Sequence, residues 1–134
     1  MSFDIFLGNF KNGASEPFPR SIVENAFGRY VERNDAGGLA LAFPDGGRAD
    51  MSIETTPMIR GFAVNRPPIS SAFWEGIFFV LKSTSSVLFW AGDGCVVASA
   101  NVVPDLPKDL IEALGMPTIV TQPKQILERI ERSN

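Results

Sequence analysis

Hydrophobic and polar residues alternate along several short stretches of the chain, which is the pattern of β-strands. These stretches are residues 3–10, 39–43, 49–54 and 59–65, with alanine or glycine at some of the alternate positions, and the short runs 87–91, 95–98 and 118–121 are interpreted as further strands. The first carries aromatic residues on both of its faces, so we expect this strand to be covered at least partly on each side. Aspartate and glycine at 44–47 and 92–94 are typical of hairpin turns, whose central residues must tolerate positive φ.

Helical spacing of apolar residues is found in other parts of the chain. A first helix begins near Pro19, and its apolar positions recur as far as Val31, although Gly28 lies within the pattern and favours an earlier end. The central helix begins at Ser70 or Ser71 and is apolar over most of its circumference, as buried helices are. Shorter helices are predicted over residues 105–114 and 123–132.

The predicted elements follow the order β-α-β-β-β-α-β-β-α-β-α. Hairpins grouped between helices are typical of an α+β fold, here a mostly antiparallel sheet with helices packed on it. The nearest familiar arrangement is the ferredoxin-like split β-α-β fold with additions, although three strands lie between the first helix and the central helix where that fold has two. No long linker or repeat divides the sequence, so we expect residues 1–134 to form a single domain.

Composition narrows the classes of function. The chain has 134 residues, 45% of them hydrophobic, and a net charge of -3 with a pI near 4.9. Its scattered basic residues form no positive stripe of the kind that nucleic-acid-binding proteins use to neutralise phosphates. The longest near-apolar run, around residues 77–81, is far shorter than the roughly 20 residues that span a bilayer. We therefore expect no nucleic-acid partner and no membrane segment.

Histidine is absent, and Cys95 is the single cysteine. The lack of histidine removes the commonest general base near neutral pH and the commonest zinc ligand. One cysteine cannot form an internal disulfide, which favours a reducing compartment, and residues 1–10 lack the features of a signal peptide. The sequence therefore predicts a cytoplasmic protein with no catalytic residues, metal site or cofactor. Cys95 lies in an apolar strand and is interpreted as a packing residue.

Asn65 and Arg66 stand between a predicted strand and the proline pair Pro67–Pro68. An arginine at such a rigid corner can present its guanidinium as an oriented fork to a carboxylate or phosphate. The alternative, more common for arginine, is that Arg66 pairs with a helix carboxylate such as Glu75 while Asn65 satisfies the backbone of the turn. This corner is the candidate site for an anion or a small molecule.

The two hairpin tips hold the other candidate binding residues, Asp45, Trp90 and Asp93. Their glycine-rich sequences lack the lysine of a P-loop and the staggered ligands of a calcium loop, so turn formation is the favoured interpretation of the aspartates. Trp90 is either an exposed contact for a partner or a core residue, whereas Trp74 is expected in the core. Exposed together, the three candidates would form an acidic and aromatic face suited to a protein partner.

Six blocks of the sequence together resemble a family of small uncharacterised bacterial proteins. They are FDIFLGNF at 3–10, FPRSIVENAFG at 18–28, FPDGG at 43–47, GFAVNRPP at 61–68, VLFWAGDG at 87–94 and LPKDLIEALG at 106–115. The resemblance implies a bacterial, intracellular, single-domain protein and implies no activity or catalytic residues. The family more often has tyrosine in place of Phe89 and histidine in place of Asp105. Any role that the tyrosine hydroxyl or the histidine imidazole has in the family is therefore absent from this chain. Its size and acidity are similar to those of immunity proteins that neutralise toxins.

Two functional hypotheses follow. The first is a non-catalytic cytoplasmic bacterial protein-binding domain, in its most specific form an immunity-type inhibitor of a basic toxin, with an interface near Asp45, Trp90 and Asp93. The alternative is a small-molecule- or anion-binding domain, or an enzyme, that uses Asn65 and Arg66 in a concave polar pocket. A homodimer through an uncovered sheet face is compatible with either.

Overall fold

A computed structural model describes residues 3–91 and 94–132 of the chain. The helices in these ranges are α1 (Arg20–Phe27), α2 (Ser71–Ser83), α3 (Lys108–Leu114) and α4 (Pro123–Arg132), with 3-10 turns at Gly28–Tyr30 and Ala100–Asp105. None of the helices in the described ranges has the length and apolar character needed to cross a membrane. Ser70 is the N-cap residue of α2, as predicted, but its side chain makes no capping hydrogen bond.

Most strands of the described residues belong to one large sheet. The strands are β1 (Asp4–Lys11), β2 (Ala14–Ser15), β3 (Phe18–Pro19), β4 (Val31–Asp35), β5 (Gly38–Ala42), β6 (Arg48–Ile53), β7 (Met58–Ile59), β8 (Gly61–Asn65), β9 (Ser86–Trp90), β10 (Gly94–Val97) and β11 (Thr118–Ile119). The main sheet has the order β11-β10-β9-β1-β8-β6-β5-β4, with β2 paired to the end of β1, and β3 pairs separately with β7. Its neighbouring strands are antiparallel except β10 and β11. The predicted α+β fold with a mostly antiparallel sheet is confirmed.

The centre of the sheet has a ferredoxin-like arrangement. Along the chain, β1, α1, β6, β8, α2 and β9 give the order β-α-β-β-α-β of that fold. In space these strands lie in the order β9-β1-β8-β6, with every neighbouring pair antiparallel. The hairpin β4–β5 is inserted between α1 and β6, and it accounts for the additional strands before the central helix.

Strand β4 is the main difference from the sequence-based expectation. The apolar spacing predicts a helix that continues to Val31, yet α1 ends at Phe27 and the chain passes through Gly28–Tyr30 into β4. Glycine has a low helix propensity, and Tyr30 packs on Phe43 with ring centroids 4.8 Å apart. Pairing with β5 then supplies the backbone hydrogen bonds that a longer helix would have supplied.

The main core lies between one face of the sheet and the helices α1, α2 and α4. Its residues from the main sheet are Ile5, Leu7, Leu39, Leu41, Ala49, Met51, Ile53, Phe62, Val64, Leu88, Trp90 and Val96. Phe73, Trp74 and Ile77 of α2 are fully or almost fully buried, so the expected burial of the central helix is confirmed. Gly76 permits a close approach to α1, since a Cβ atom there would lie 2.3 Å from Cε1 of Phe27.

Arg20, at the start of α1, is a buried charged residue that joins three parts of the fold. Its Nε donates a hydrogen bond to the carbonyl of Glu54 at 2.8 Å. Its terminal nitrogens donate to Glu24 Oε2 at 3.1 Å and to Asn34 Oδ1 at 3.2 Å. The guanidinium therefore ties α1 to β4 and to the segment that follows β6.

Asn9, near the end of β1, is a second buried polar residue with several hydrogen bonds. Its Nδ2 donates to the carbonyl of Glu16 at 2.9 Å. Its Oδ1 accepts from the backbone N–H of Ser85 at 2.9 Å and from the hydroxyl of Ser86 at 3.2 Å. One amide side chain thus holds together the segments that flank β2 and β9.

A second, smaller core lies on the opposite face of the sheet, where α3 and the preceding 3-10 turn cover β9 and β10. It contains Val87, Cys95, Val97, Val102 and Leu106. Cys95 is buried, so its interpretation as a packing residue is confirmed. Burial raises the pKa of the Cys95 thiol, and the positive charge of Arg129 opposes this effect only in part. The nucleophilic thiolate is therefore disfavoured near neutral pH.

Neither edge strand of the main sheet is suited to pairing with another sheet. In β4, every residue after Val31 is exposed, and Glu32, Arg33 and Asp35 place charges along this edge. At the other edge β11 has only two residues. Charged and very short edge strands both disfavour edge-to-edge association. A partner of this protein is therefore more readily accommodated on a face than on an edge.

Candidate binding surface on the open sheet face

Part of the second sheet face is not covered by any helix of the described residues. We call this surface the open face and define it by the outward residues of β1, β8, β6 and β5, which are Asp4, Phe6, Asn65, Ala63, Asp50, Ser52 and Ala40. These residues face outward because side chains alternate along each strand, and in β6 every second residue is exposed. The second core extends over β9, β10 and the end of β1 at Phe10, so the start of β1 and the strands β8, β6 and β5 keep an uncovered side.

A polar row crosses the open face. Asp4 of β1 lies opposite Asn65 of β8, and Asn65 lies opposite Asp50 of β6. All three side chains are exposed. Neighbouring strands are about 4.8 Å apart, so the backbones of the two aspartates are separated by roughly 10 Å. The row therefore presents one carboxylate on each side of an amide, and the amide both donates and accepts hydrogen bonds.

Arg66 lies at the end of this row, where the chain leaves β8. Its φ of 47° is in the left-handed region, which residues other than glycine seldom adopt. Its backbone N–H donates to the carbonyl of Phe3 at 3.1 Å. The next part of the corner is held by α2, because Nε1 of Trp74 donates to the carbonyl of Pro68 at 3.0 Å. The backbone is thus fixed on both sides while the Arg66 residue remains exposed.

The corner forms one wall of an open depression of about 680 Å³. The depression is lined by Asp4, Arg48, Ala49, Asp50, Asn65 and Arg66. Arg48 also forms an ion pair with Glu32 of β4. Among the described residues no ion pair joins Arg66 to Glu75, which lies in α2. The structure therefore brings Asn65 and Arg66 together on a concave polar surface that holds charges of both signs.

Asp45, at the first hairpin tip, does not line this depression. Asp45 accepts a hydrogen bond from the backbone N–H of Gly47 at 3.0 Å, and Gly46 has a φ of 92°. These are the contacts of a tight turn, as the turn interpretation predicts. Asp93 lies outside the described residues.

Trp90 is a core residue, so its predicted exposure at a binding face is wrong. It is 3% exposed, and it lies opposite Ile5 on the helix-covered side of the sheet. The guanidinium carbon of Arg129 is 5.7 Å from its ring centroid. The ring also occupies the space beside Gly94, where a Cβ atom would lie 2.2 Å from Cζ2 of Trp90. Position near a hairpin tip suggested exposure, but the alternation along β9 turned this side chain inward.

Phe6 and Phe89 form an aromatic centre next to the polar row. Their rings stack with centroids 5.5 Å apart and an interplanar angle of 25°, and Phe6 is 38% exposed. With Leu110 and Leu114 of α3 they line an apolar depression of about 450 Å³. Sequence reasoning does not single out these phenylalanines, because aromatic residues in strands are usually buried. The feature of the sequence that could have indicated the exposure of Phe6 is its position on the same strand face as the charged residue Asp4.

The open face offers charges, hydrogen bonds and aromatic stacking. Within residues 3–91 and 94–132, no group of three or more His, Cys, Asp or Glu residues is placed to hold a metal ion. The Cys95 thiol is buried in the second core. The groups that the open face presents are those of molecular recognition.

A scan against protein-family models, a search of curated proteins and a search of solved structures each found no match for this chain. The class that the fold itself defines is an α+β domain with a partly uncovered, mostly antiparallel sheet.

Proposed function

We propose that this chain is a non-catalytic, cytoplasmic protein-binding domain of a bacterium and that the open face is its interface. The observation that carries the proposal is Phe6, which is exposed on β1 beside the uncovered strands and stacks on the half-buried Phe89 at the border of the α3 layer. Large apolar residues that remain exposed beside polar groups are typical of interaction sites.

The arrangement of the open face supports this proposal. Protein interfaces usually combine an apolar, aromatic centre with a polar rim that remains accessible to water. Here Phe6 and Phe89 supply the centre, and Asp4, Asn65 and Arg66 supply the neighbouring rim. Aromatic residues and arginine are also the types that most often dominate binding energy.

We further propose that the partner is a basic protein and that the domain acts as an immunity-type inhibitor. The net charge of -3 favours association with a positively charged surface. Asp4 and Asp50 are the carboxylates of the open face that such a surface would contact first. Inhibition by occupation of a partner's active site requires no catalytic group in the inhibitor.

Site-specific photocrosslinking in the native host tests this proposal. Phe6 is replaced by p-benzoylphenylalanine, and Phe79 receives the same substitution as a control. Phe79 is 45% exposed but lies on α2, away from the open face. We expect one basic host protein to be crosslinked through position 6 and not through position 79. Purified partner should then bind the native domain and lose its activity when bound.

Equal crosslinking through both positions, or none through position 6, would contradict the interface. Binding without inhibition would contradict the immunity-type role and leave the binding domain intact. As a second check, Phe6→Asp should weaken binding, because it removes the aromatic centre and places a charge within it.

A second candidate function is the binding of a small anion at Arg66. The observation that favours it is the depression of about 680 Å³ in which Arg66 and Asn65 converge. Titration with inorganic phosphate, followed by NMR, should shift the amide signals of these two residues. Arg66→Gly is the informative variant, since it removes the guanidinium and tolerates the φ of 47°. Unchanged spectra at millimolar phosphate would exclude this function.

A further inference from the structure

A separate groove lies on the helical side of the molecule, between the start of α2 and the helix α4. It has a volume of about 390 Å³. Its apolar lining includes Ile69, Trp74, Pro123 and Leu127. Ile69 is 71% exposed, an unusual position for a large aliphatic side chain beside an apolar groove. The groove thus presents uncovered apolar surface that does not belong to the open face.

The charged groups around this groove are mainly acidic. Glu75 of α2 and Glu128 and Glu131 of α4 line it, against a single amine from Lys124. In the described part of the chain, none of the three carboxylates belongs to an ion pair. The groove therefore combines an apolar floor with an excess of negative charge.

The backbone amides of the two residues that precede α4 donate to a side chain of the protein itself. Oε1 of Gln125 accepts hydrogen bonds from the backbone N–H of Thr121 at 2.6 Å and of Gln122 at 3.2 Å. These two donors are therefore not offered to an anion at the start of α4.

We propose that the groove between α2 and α4 binds a segment of another protein that carries an apolar side chain flanked by lysine or arginine. The apolar side chain would lie against Ile69, Trp74 and Leu127, and the flanking cations would face the glutamates. Charge complementarity of this kind accelerates association and selects between partners. The inference does not depend on the proposed function, because it uses a different surface.

A second copy of this chain fits the groove poorly. In a two-fold symmetric dimer the same patch meets itself, so Glu75, Glu128 and Glu131 would face their own counterparts. Like charges in such a contact disfavour binding. The basic residues of the chain are also scattered along the sequence, with no run of three.

Selection of peptides on the intact protein tests this inference. A phage-displayed library of random peptides about 12 residues long is the probe, and each enriched sequence is synthesised with a fluorescent label. We expect enriched peptides to have Leu, Ile or Phe with Lys or Arg within one or two positions. Their dissociation constants, measured by fluorescence anisotropy at low salt, should rise about tenfold in Glu128→Lys, because the rim charge is reversed. Ile69→Ser should also weaken binding, because it removes an apolar wall.

Glu112→Lys is the matched control. It makes the same change of net charge on α3, outside the groove, and should alter the dissociation constant by less than about twofold because of screening. Failure to enrich peptides, enrichment of peptides without basic residues, or equal weakening by both reversals would overturn the inference. Self-association of the native chain that Glu128→Lys abolishes would assign the groove to a second copy and would also overturn it. If Phe6→Ser weakens peptide binding and Glu128→Lys does not, the peptide binds to the open face and the inference is overturned.

Discussion

Replacement of Gly76 by alanine tests how closely α1 and α2 are packed. A Cβ atom at this buried position would lie 2.3, 2.6 and 2.8 Å from Cε1, Cζ and Cδ1 of Phe27. Phe27 is 0% exposed, and its ring centroid is 5.9 Å from that of Phe73, so the ring has little space to move.

Two effects of opposite sign compete in this variant. Alanine is favoured over glycine within a helix by about 1 kcal/mol. Insertion of a methyl group into a packed core costs about 1–3 kcal/mol, and the number and shortness of the contacts with Phe27 place this case near the upper limit. We therefore expect Gly76→Ala to lower the free energy of unfolding by about 2 kcal/mol.

Urea denaturation followed by circular dichroism measures this change, with an accompanying decrease in Tm of roughly 6 °C for a chain of this length. Gly28→Ala is the matched control. Gly28 has φ −52° and ψ −38°, and no atom lies within 4 Å of the position its Cβ would take. The same substitution should therefore stabilise the protein there by about 0.5–1 kcal/mol.

The two variants should therefore change the free energy of unfolding in opposite directions. If Gly76→Ala is as stable as the native protein, the helices are not packed as closely as the structure indicates. A double variant adds a further check: Phe27→Leu combined with Gly76→Ala should lose less stability than the sum of the two single losses, because the smaller side chain leaves room for the methyl group.

Three further predictions concern buried groups. Arg20→Met should lower the free energy of unfolding by about 3 kcal/mol in urea denaturation, because it removes the three hydrogen bonds that the buried guanidinium donates. Arg33→Met, at an exposed ion pair, should cost less than about 1 kcal/mol. Equal losses would contradict the role of burial. Asn9→Ala should lower the free energy of unfolding by about 2–3 kcal/mol in the same assay, because the backbone groups of Glu16 and Ser85 lose their hydrogen-bond partner. A decrease of less than about 0.5 kcal/mol would contradict this role of Asn9. Burial raises the pKa of the Cys95 thiol in the folded state. The protonated thiol therefore contributes to the free energy of unfolding below the pKa of an unfolded cysteine, about 8.5, and this contribution is lost as the pH rises through the folded-state pKa. Cys95→Ala should therefore show a flatter loss of stability above that pH than the native protein, and identical profiles would refute this.

The elements that sequence reasoning predicts correctly are those whose local pattern agrees with their final environment. Strand β6 alternates because one side faces the core and the other faces water. Helix α2 is apolar around most of its circumference because α1, α4 and the sheet surround it. Strand β4 was the exception, since Tyr30 and Val31 continue a helical pattern that pairing with β5 overrides.

The candidate site was predictable only in part. The proline pair marks Asn65 and Arg66 as a rigid corner, and the structure places both on a concave surface. Trp90 could not be assigned, because its exposure depends on which way β9 faces within the sheet. Phe6 escaped notice for the converse reason, since its exposure depends on how far the helical cover extends over β1.

The sequence by itself determined the fold class, the buried central helix and the absence of histidine, because periodicity and composition are local or additive properties. Only the tertiary structure decided which aromatic side chains are exposed, which carboxylates become neighbours, and where an apolar groove remains between helices. The physical reason is that these features arise between elements distant in the chain. Asp4, Asp50 and Asn65 form one row only because β1, β8 and β6 pair in a particular register. A shift of that register by one residue would turn each side chain to the other face.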